Sequence, residues 1–157
     1  MKKIRPCLWL NHNVAEALEF YTSVFKDSKV LSTNYYPKEV PGFGGEILVA
    51  EISILDQEFM LLNGGANFTF NESVSFSIAA ETQEEIDYYW ENLISGGGQE
   101  SQCGWLKDRF GLSWQVTPPF LGRLLQNPDK DKAKRVMDTM MKMKKIVIKD
   151  LEDAAKG

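Results

Sequence analysis

Two stretches of the chain repeat apolar residues at the helical period, and each is flanked by short runs at the strand period. Val14, Ala17, Leu18, Tyr21, Val24 and Phe25 recur at three- and four-residue intervals, predicting one apolar stripe over about three helical turns. Asn13 and Glu16 before it have capping-box spacing, and Asp27-Ser28-Lys29 ends it. Ile86, Tyr89, Trp90, Leu93 and Ile94 form a second stripe, opened by the capping box Thr82-Gln83-Glu84-Glu85 and stopped by Gly96-Gly97-Gly98. Strands are predicted at Ile4–Leu10 with Pro6 near its start, at Lys29–Tyr36, at Ile47–Ile54 and, after a turn at Asp56-Gln57, at Glu58–Leu62. Pro37 to Gly45, rich in proline and glycine, reads as a long mobile loop. In the second half, Val74, Phe76 and Ile78 alternate with Ser75 and Ser77, and further strand segments follow at about Gln99–Cys103, Trp105–Arg109 and Leu112–Thr117. Strand–helix–strand–strand–strand therefore occurs twice, with an offset of about 69 residues placing Asn13 on Thr82. The fold class is α+β: module one about 4–65, module two about 73–118, and a helical extension over 119–157, all read as one domain. In that extension Phe120–Leu125 forms a short helix. A longer one runs from Asp129 to Met143, with Ala133, Val136, Met137, Met140 and Met141 on one face and Lys142, Lys144 and Lys145 near a C-terminus that favours cations. The apolar face needs a cover, from the same subunit or a second copy.

Composition narrows the function. In 157 residues, 43% are apolar and 25% charged, and 18 basic against 22 acidic side chains leave a net charge of −4. A chain of this size buries roughly 70% of its unfolded surface and needs neither disulfide nor metal to fold. The acidic balance argues against nucleic-acid binding, and no apolar run is long enough to span a membrane. Met1-Lys2-Lys3-Ile4 begins like a secretory leader, but Arg5, Asn11, His12 and Asn13 break the apolar stretch. Two cysteines, Cys7 and Cys103, make no disulfide framework, so a cytoplasmic protein is expected and the sequons at Asn67 and Asn71 are chance matches.

The run from Cys103 through Trp105, Phe110-Gly111 and Trp114-Gln115-Val116-Thr117 to Pro118 resembles the PhnB-like branch of the vicinal oxygen chelate (glyoxalase/bleomycin-resistance/dioxygenase) superfamily. Pro6-Cys7-Leu8-Trp9-Leu10, Glu19-Phe20-Tyr21, Leu62-Asn63-Gly64-Gly65 and Glu81 to Asp87 carry the same likeness. Members are often labelled 3-demethylubiquinone-9 3-methyltransferase. The resemblance implies two βαβββ modules with sheets curled around a cleft, usually completed in a homodimer. It also implies a divalent metal held by His, Gln or Glu of the first and last strands of each module. Carried over, those positions fall on Pro6, Met60, Ser73 or Ser75, and Gln115. Only Gln115 is a plausible ligand, so a metal-free cleft is expected. His12, the single histidine, reads as a surface or capping residue.

The methyltransferase label finds no support in the residues. A methyl-donor cofactor usually lies over a Gly-rich turn from strand to helix, whereas Gly96-Gly97-Gly98 runs from helix to strand and Gly42-Phe43-Gly44-Gly45 joins two strands. No cofactor is expected. Cys7 reads as core packing; Cys103, four residues before Lys107 and open to partial exposure, lacks a histidine partner. Glu51, Asp108 and Arg109 read as solvated charges near the cleft rim. Strand alternation places Val74, Phe76 and Ile78 under the helices with Leu112, Trp114 and Val116. It leaves Ser75, Ser77, Ser113, Gln115 and Thr117 inward. Leu8, Leu10, Met60 and Leu62 are expected as an apolar wall, with Trp105 and the loop from Pro37 to Gly45 at the mouth. That lining suits a small, partly apolar organic ligand. The competing readings are a metal-dependent lyase, isomerase or dioxygenase recruiting unusual ligands around Gln115, and a scaffold assembled through the helix after Asp129.

Overall fold

The computed structural model describes residues 3–157. Met1 and Lys2, on which the leader reading partly rests, lie outside the described residues. The chain divides into two compact units, Met1–Phe70 and Asn71–Gly157.

In the first unit, β1 (Cys7–Leu10), α1 (Val14–Val24), β2 (Ser28–Tyr35), β3 (Ile47–Ile54) and β4 (Gln57–Asn63) build a four-stranded sheet in the order β1-β4-β3-β2. The β1–β4 pair is parallel and the others antiparallel. Every residue of the predicted α1 stripe is buried, together with Phe20. The capping box there does not form: Asn13 makes no side-chain cap and accepts instead from the Asn11 N–H (3.1 Å). β1 starts only at Cys7, because Pro6 has no N–H for a ladder; its carbonyl still accepts from the Met60 N–H at 2.9 Å. The β3–β4 turn is Leu55-Asp56, one residue earlier than the sequence suggested. Both residues have positive φ (47° and 62°), as a two-residue turn matched to strand twist requires. A leucine at such a φ is the signal that pattern reading resists. The segment from Pro37 to Gly45 folds into successive turns, with Phe43 N–H on Val40 O and Glu46 N–H on Phe43 O.

The second unit repeats the plan with β5 (Ser75–Ala79), α2 (Gln83–Ile94), β6 (Gln99–Glu100), β7 (Trp105–Lys107) and β8 (Ser113–Thr117), in the order β5-β8-β7-β6 with β5 and β8 parallel. Thr82 caps α2 by accepting from Glu85 N–H, while Glu85 reaches back to the Glu81 N–H. Val74, expected under the helix, precedes β5 and is 62% exposed. β7 starts at Trp105 as predicted but ends at Lys107, ahead of the turn at Asp108, and β6 is shorter than predicted because the chain turns at Cys103 and Gly104, both at positive φ. Their N–H groups donate to Met143 O and Lys144 O (2.8 and 2.7 Å).

The extension contains α3 (Leu121–Leu125), α4 (Lys130–Met140) and α5 (Ile148–Lys156). The last was not anticipated, although Ile148, Leu151 and Ala155 have helical spacing. Val136 of α4 is fully buried, as is Leu151 of α5, and these two helices pack together; Ala133 and Met140 of the α4 stripe are half-buried, while Met137 and Met141 stay exposed. Lys144 and Lys145 are not spent on a helix dipole: they pair with Glu100 (3.2 Å) and Asp87 (2.6 Å). Gln83 staples the extension to α2, donating to Ile146 O (3.1 Å) and accepting from Ile148 N–H (2.9 Å). Among the described residues, no helix is long and apolar enough to cross a membrane.

Candidate functional site

Register decides which side chains share a face. In the first sheet Leu8 pairs with Leu61 and Leu10 with Asn63, all of them buried on the side of α1 with Ala50, Ile52 and Phe59. Leu8 and Leu10 are therefore core residues and do not join Met60 and Leu62 in a wall. Those two lie on the opposite face beside Cys7 and Trp9. Met60 is flanked by Cys7 and Glu51, and Glu51 is held by Arg5 at 2.8 Å, so this face is apolar with one neutralised ion pair rather than wholly apolar. Cys7 is exposed here instead of packed in the core, and partial desolvation pushes its thiol pKa up, which keeps it from being a ready nucleophile. Trp9 donates to Gly65 O (2.8 Å), and its ring lies so close to Gly64 that a Cβ there would sit 2.3 Å away.

In the second sheet the face turned away from α2 carries neutral polar side chains together with Trp105 and Lys107. Ser75 pairs with Ser113, Ser77 with Gln115, and Gln115 with Trp105. Gln115 Nε2 donates to Ser75 Oγ at 2.9 Å. Ser73 lies before the strand, hydrogen-bonded to Asn71, so Ser75 is the first-strand residue of this face. Ser113 is 1% exposed, and its Oγ has no hydrogen-bond partner among the described residues. A cavity of about 120 Å³ opens beside it, lined also by Trp105, Leu106, Lys107, Gln99 and Glu72, with Lys107 paired to Glu72.

Asp108, expected as a solvated charge, is 2% exposed and organises the β7–β8 turn. Its Oδ1 accepts from the Phe110 and Leu112 N–H groups (2.9 and 3.0 Å), and Oδ2 from the Trp114 indole (2.9 Å). It is a structural acceptor with its lone pairs engaged. Cys103 Sγ lies 3.6 Å from Met140 O and 3.7 Å from Met141 Sδ.

At the positions that the resemblance assigns to metal ligands stand Pro6, Met60, Ser75 and Gln115; with proline donorless and methionine soft, this set does not suit a hard divalent cation. Among the described residues, no three His, Cys, Asp or Glu side chains converge as ligands. A methyl-donor cofactor fits no better. A Cβ on Gly96 would sit 2.1 Å from the Arg109 guanidinium, and one on Gly98 2.7 Å from Lys107 O, so the chain itself fills the glycine turn.

The duplicated βαβββ plan, each with a parallel outer pair, defines a vicinal oxygen chelate type protein. Residues 2–117 match the model of the family described as 3-demethylubiquinone-9 3-methyltransferase, and the chain belongs to that PhnB-like family. The PhnB protein of Bacillus cereus is 33% identical, with a TM-score of 0.69 over 74% of this chain and 99% of that one. A protein of Pseudomonas aeruginosa (19% identity, TM-score 0.62, 75% and 98% coverage) shares the fold. So does the fosfomycin resistance protein FosX of Listeria monocytogenes (13%, 0.55, 78% and 94%). No curated protein matches the sequence.

Proposed function

We propose that this chain binds a small, partly apolar organic molecule on the helix-free faces of its sheets, without a divalent metal. The observation that carries this reading is the Ser113 hydroxyl. A buried hydroxyl without a partner costs about 1–3 kcal/mol, and this one lines a cavity beside Lys107 and Trp105. A ligand oxygen accepting from Ser113 would remove that cost. The cavity is small against the roughly 300–1,000 Å³ of small-molecule sites, so it suits the polar end of a ligand whose body lies along Trp105, Ser77 and Gln115. On its own sheet the first unit carries Met60 and Leu62 on the helix-free face. FosX is recorded in complex with Mn(II); the donor set here argues for ligand binding without such an ion. In this reading the protein acts in the cytosol as a homodimer, each chain working as one domain, and carries out no methyl transfer.

The test pairs a thermal-shift screen of small aromatic and aliphatic hydroxyl and carbonyl compounds with Ser113→Ala. The variant is expected to keep or gain stability, within about 1 kcal/mol, because an unpartnered group is removed, and to lose the ligand-induced shift. A saturable rise in melting temperature with Mn²⁺, Ni²⁺ or Zn²⁺ would overturn the metal-free part. An unchanged ligand shift in Ser113→Ala would overturn the site.

A further inference from the structure

At the other end of the first sheet, where β1 and β4 finish, the side chain that sequence reading set aside as a surface residue is held from several directions. His12 Nδ1 lies 2.9 and 3.1 Å from the two carboxylate oxygens of Glu46. Glu46 is fixed in turn by Asn63 Nδ2 at 2.8 Å, and Asn63 Oδ1 accepts the His12 backbone N–H at 2.9 Å. Asn63 is 1% exposed, so both ends of its amide are committed to this pair. The imidazole stacks on Phe43, with centroids 4.5 Å apart and planes 13° from parallel. His12 itself has φ of 60°, an uncommon conformation for a residue with a side chain. A residue that only ends a strand requires no such orientation; strained backbone held by its surroundings is a feature of functional positions.

The chemistry follows from the donors and acceptors. An ionised carboxylate only accepts, so Nδ1 carries the hydrogen facing Glu46. Hydrogen bonds from His12 and then Asn63 hold the Glu46 carboxyl below the ordinary glutamate range, which keeps it ionised. In the neutral ring Nε2 is then the free lone pair, the arrangement by which a carboxylate orients an imidazole as an acceptor. His12, Glu46 and Asn63 line a cavity of about 310 Å³ together with Val14, Tyr35 and Ile47. Its remaining wall is apolar and aromatic. The carboxylate in the lining disfavours an anion, and one histidine with one carboxylate is too few ligands for a metal.

We propose that this cavity is a second ligand site for a small neutral phenol-type molecule, whose hydroxyl donates to His12 Nε2 while its ring lies against Tyr35 and Ile47. It shares no lining residue with the cavity at Ser113, so the two readings stand or fall separately.

His12 is the only histidine in the chain, so the imidazole signals of ¹⁵N-labelled full-length protein belong to it. In the neutral ring the spectrum is expected to show the Nδ1–H form, with loss of that preference in Glu46→Ala. Titration with 4-chlorophenol is expected to shift Nε2 saturably. Binding by calorimetry should be at least tenfold tighter than that of 4-chloroanisole, which lacks the hydroxyl. His12→Asn retains a residue that tolerates positive φ and should fold as the parent does while losing tenfold or more in affinity. An Nε2–H form in the parent protein, equal binding of phenol and anisole, or undiminished binding in His12→Asn would each overturn the proposal.

Discussion

Replacing Asp108 by Asn tests the claim that a buried carboxylate, and not a solvated charge, builds the β7–β8 turn. The two side chains are nearly isosteric, so the change is in charge and hydrogen bonding and not in packing volume. Asp108 accepts three bonds: two backbone N–H groups on Oδ1 and the Trp114 indole on Oδ2. Asn has one acceptor oxygen. If its oxygen stays with Phe110 and Leu112, its NH₂ faces the Trp114 Nε1–H, donor against donor; if it flips, the NH₂ faces two backbone donors instead. The better orientation loses the indole bond and strands a buried donor, about 1–3 kcal/mol. It also removes the charge assistance on the two amide bonds, adding roughly 1–2 kcal/mol. The expected loss is therefore about 2–5 kcal/mol. Urea unfolding followed by tryptophan fluorescence measures it, and the near-ultraviolet dichroism of Trp114 should weaken. A loss below about 0.5 kcal/mol with an unchanged Trp114 signal would refute the account, since the carboxylate would then not be the acceptor that holds the turn.

Gln83→Ala removes both bonds of the staple between α2 and the segment before α5. We expect a loss of about 1–3 kcal/mol and faster amide exchange at Ile148, and unchanged exchange there would contradict the staple. Stability should also fall in acid. Glu46, Asp87 and Glu100 are held below their ordinary pKa values, chiefly by hydrogen bonds from His12, Lys145 and the Trp90 indole respectively. Groups depressed in the folded state add stability that is complete above their unfolded values, about 4, and is lost as pH falls through the folded ones. Being largely solvent-exposed, they should give a shallow, salt-weakened decline. A melting temperature that stays flat from about pH 6 to about pH 3 at low salt would contradict this.

Much of the fold could be read along the chain, because local period and local punctuation carry it. The stripe from Val14 to Phe25 names the buried face of α1 residue by residue, and β3 has the predicted bounds, Ile47–Ile54. The repeated element order anticipated two sheets of identical connectivity. The stripe of α5 was present but passed over, since Ile148, Leu151 and Ala155 stand among charged residues near the end of the chain.

What local pattern leaves open is which face of a strand is covered. Alternation tells that Leu8 and Leu10 share a side, and Met60 and Leu62 share a side. Only the pairing of Leu8 with Leu61 shows that the first pair lies under α1 and the second does not. Polar residues are harder still, because their role depends on partners distant in sequence. His12 is a surface residue as read, but only folding brings it to Glu46, 34 positions away, and Asn63, 51 positions away. Asp108 looks like a surface charge until the turn wraps three donors around it, and the Ser113 hydroxyl becomes an orphan only once β5, β7 and β8 are assembled. The sequence by itself determined most of the elements, their order and the family, since these depend on periodicity and short motifs. The tertiary structure alone decided faces, burial and hydrogen-bond satisfaction, since those are properties of long-range contact.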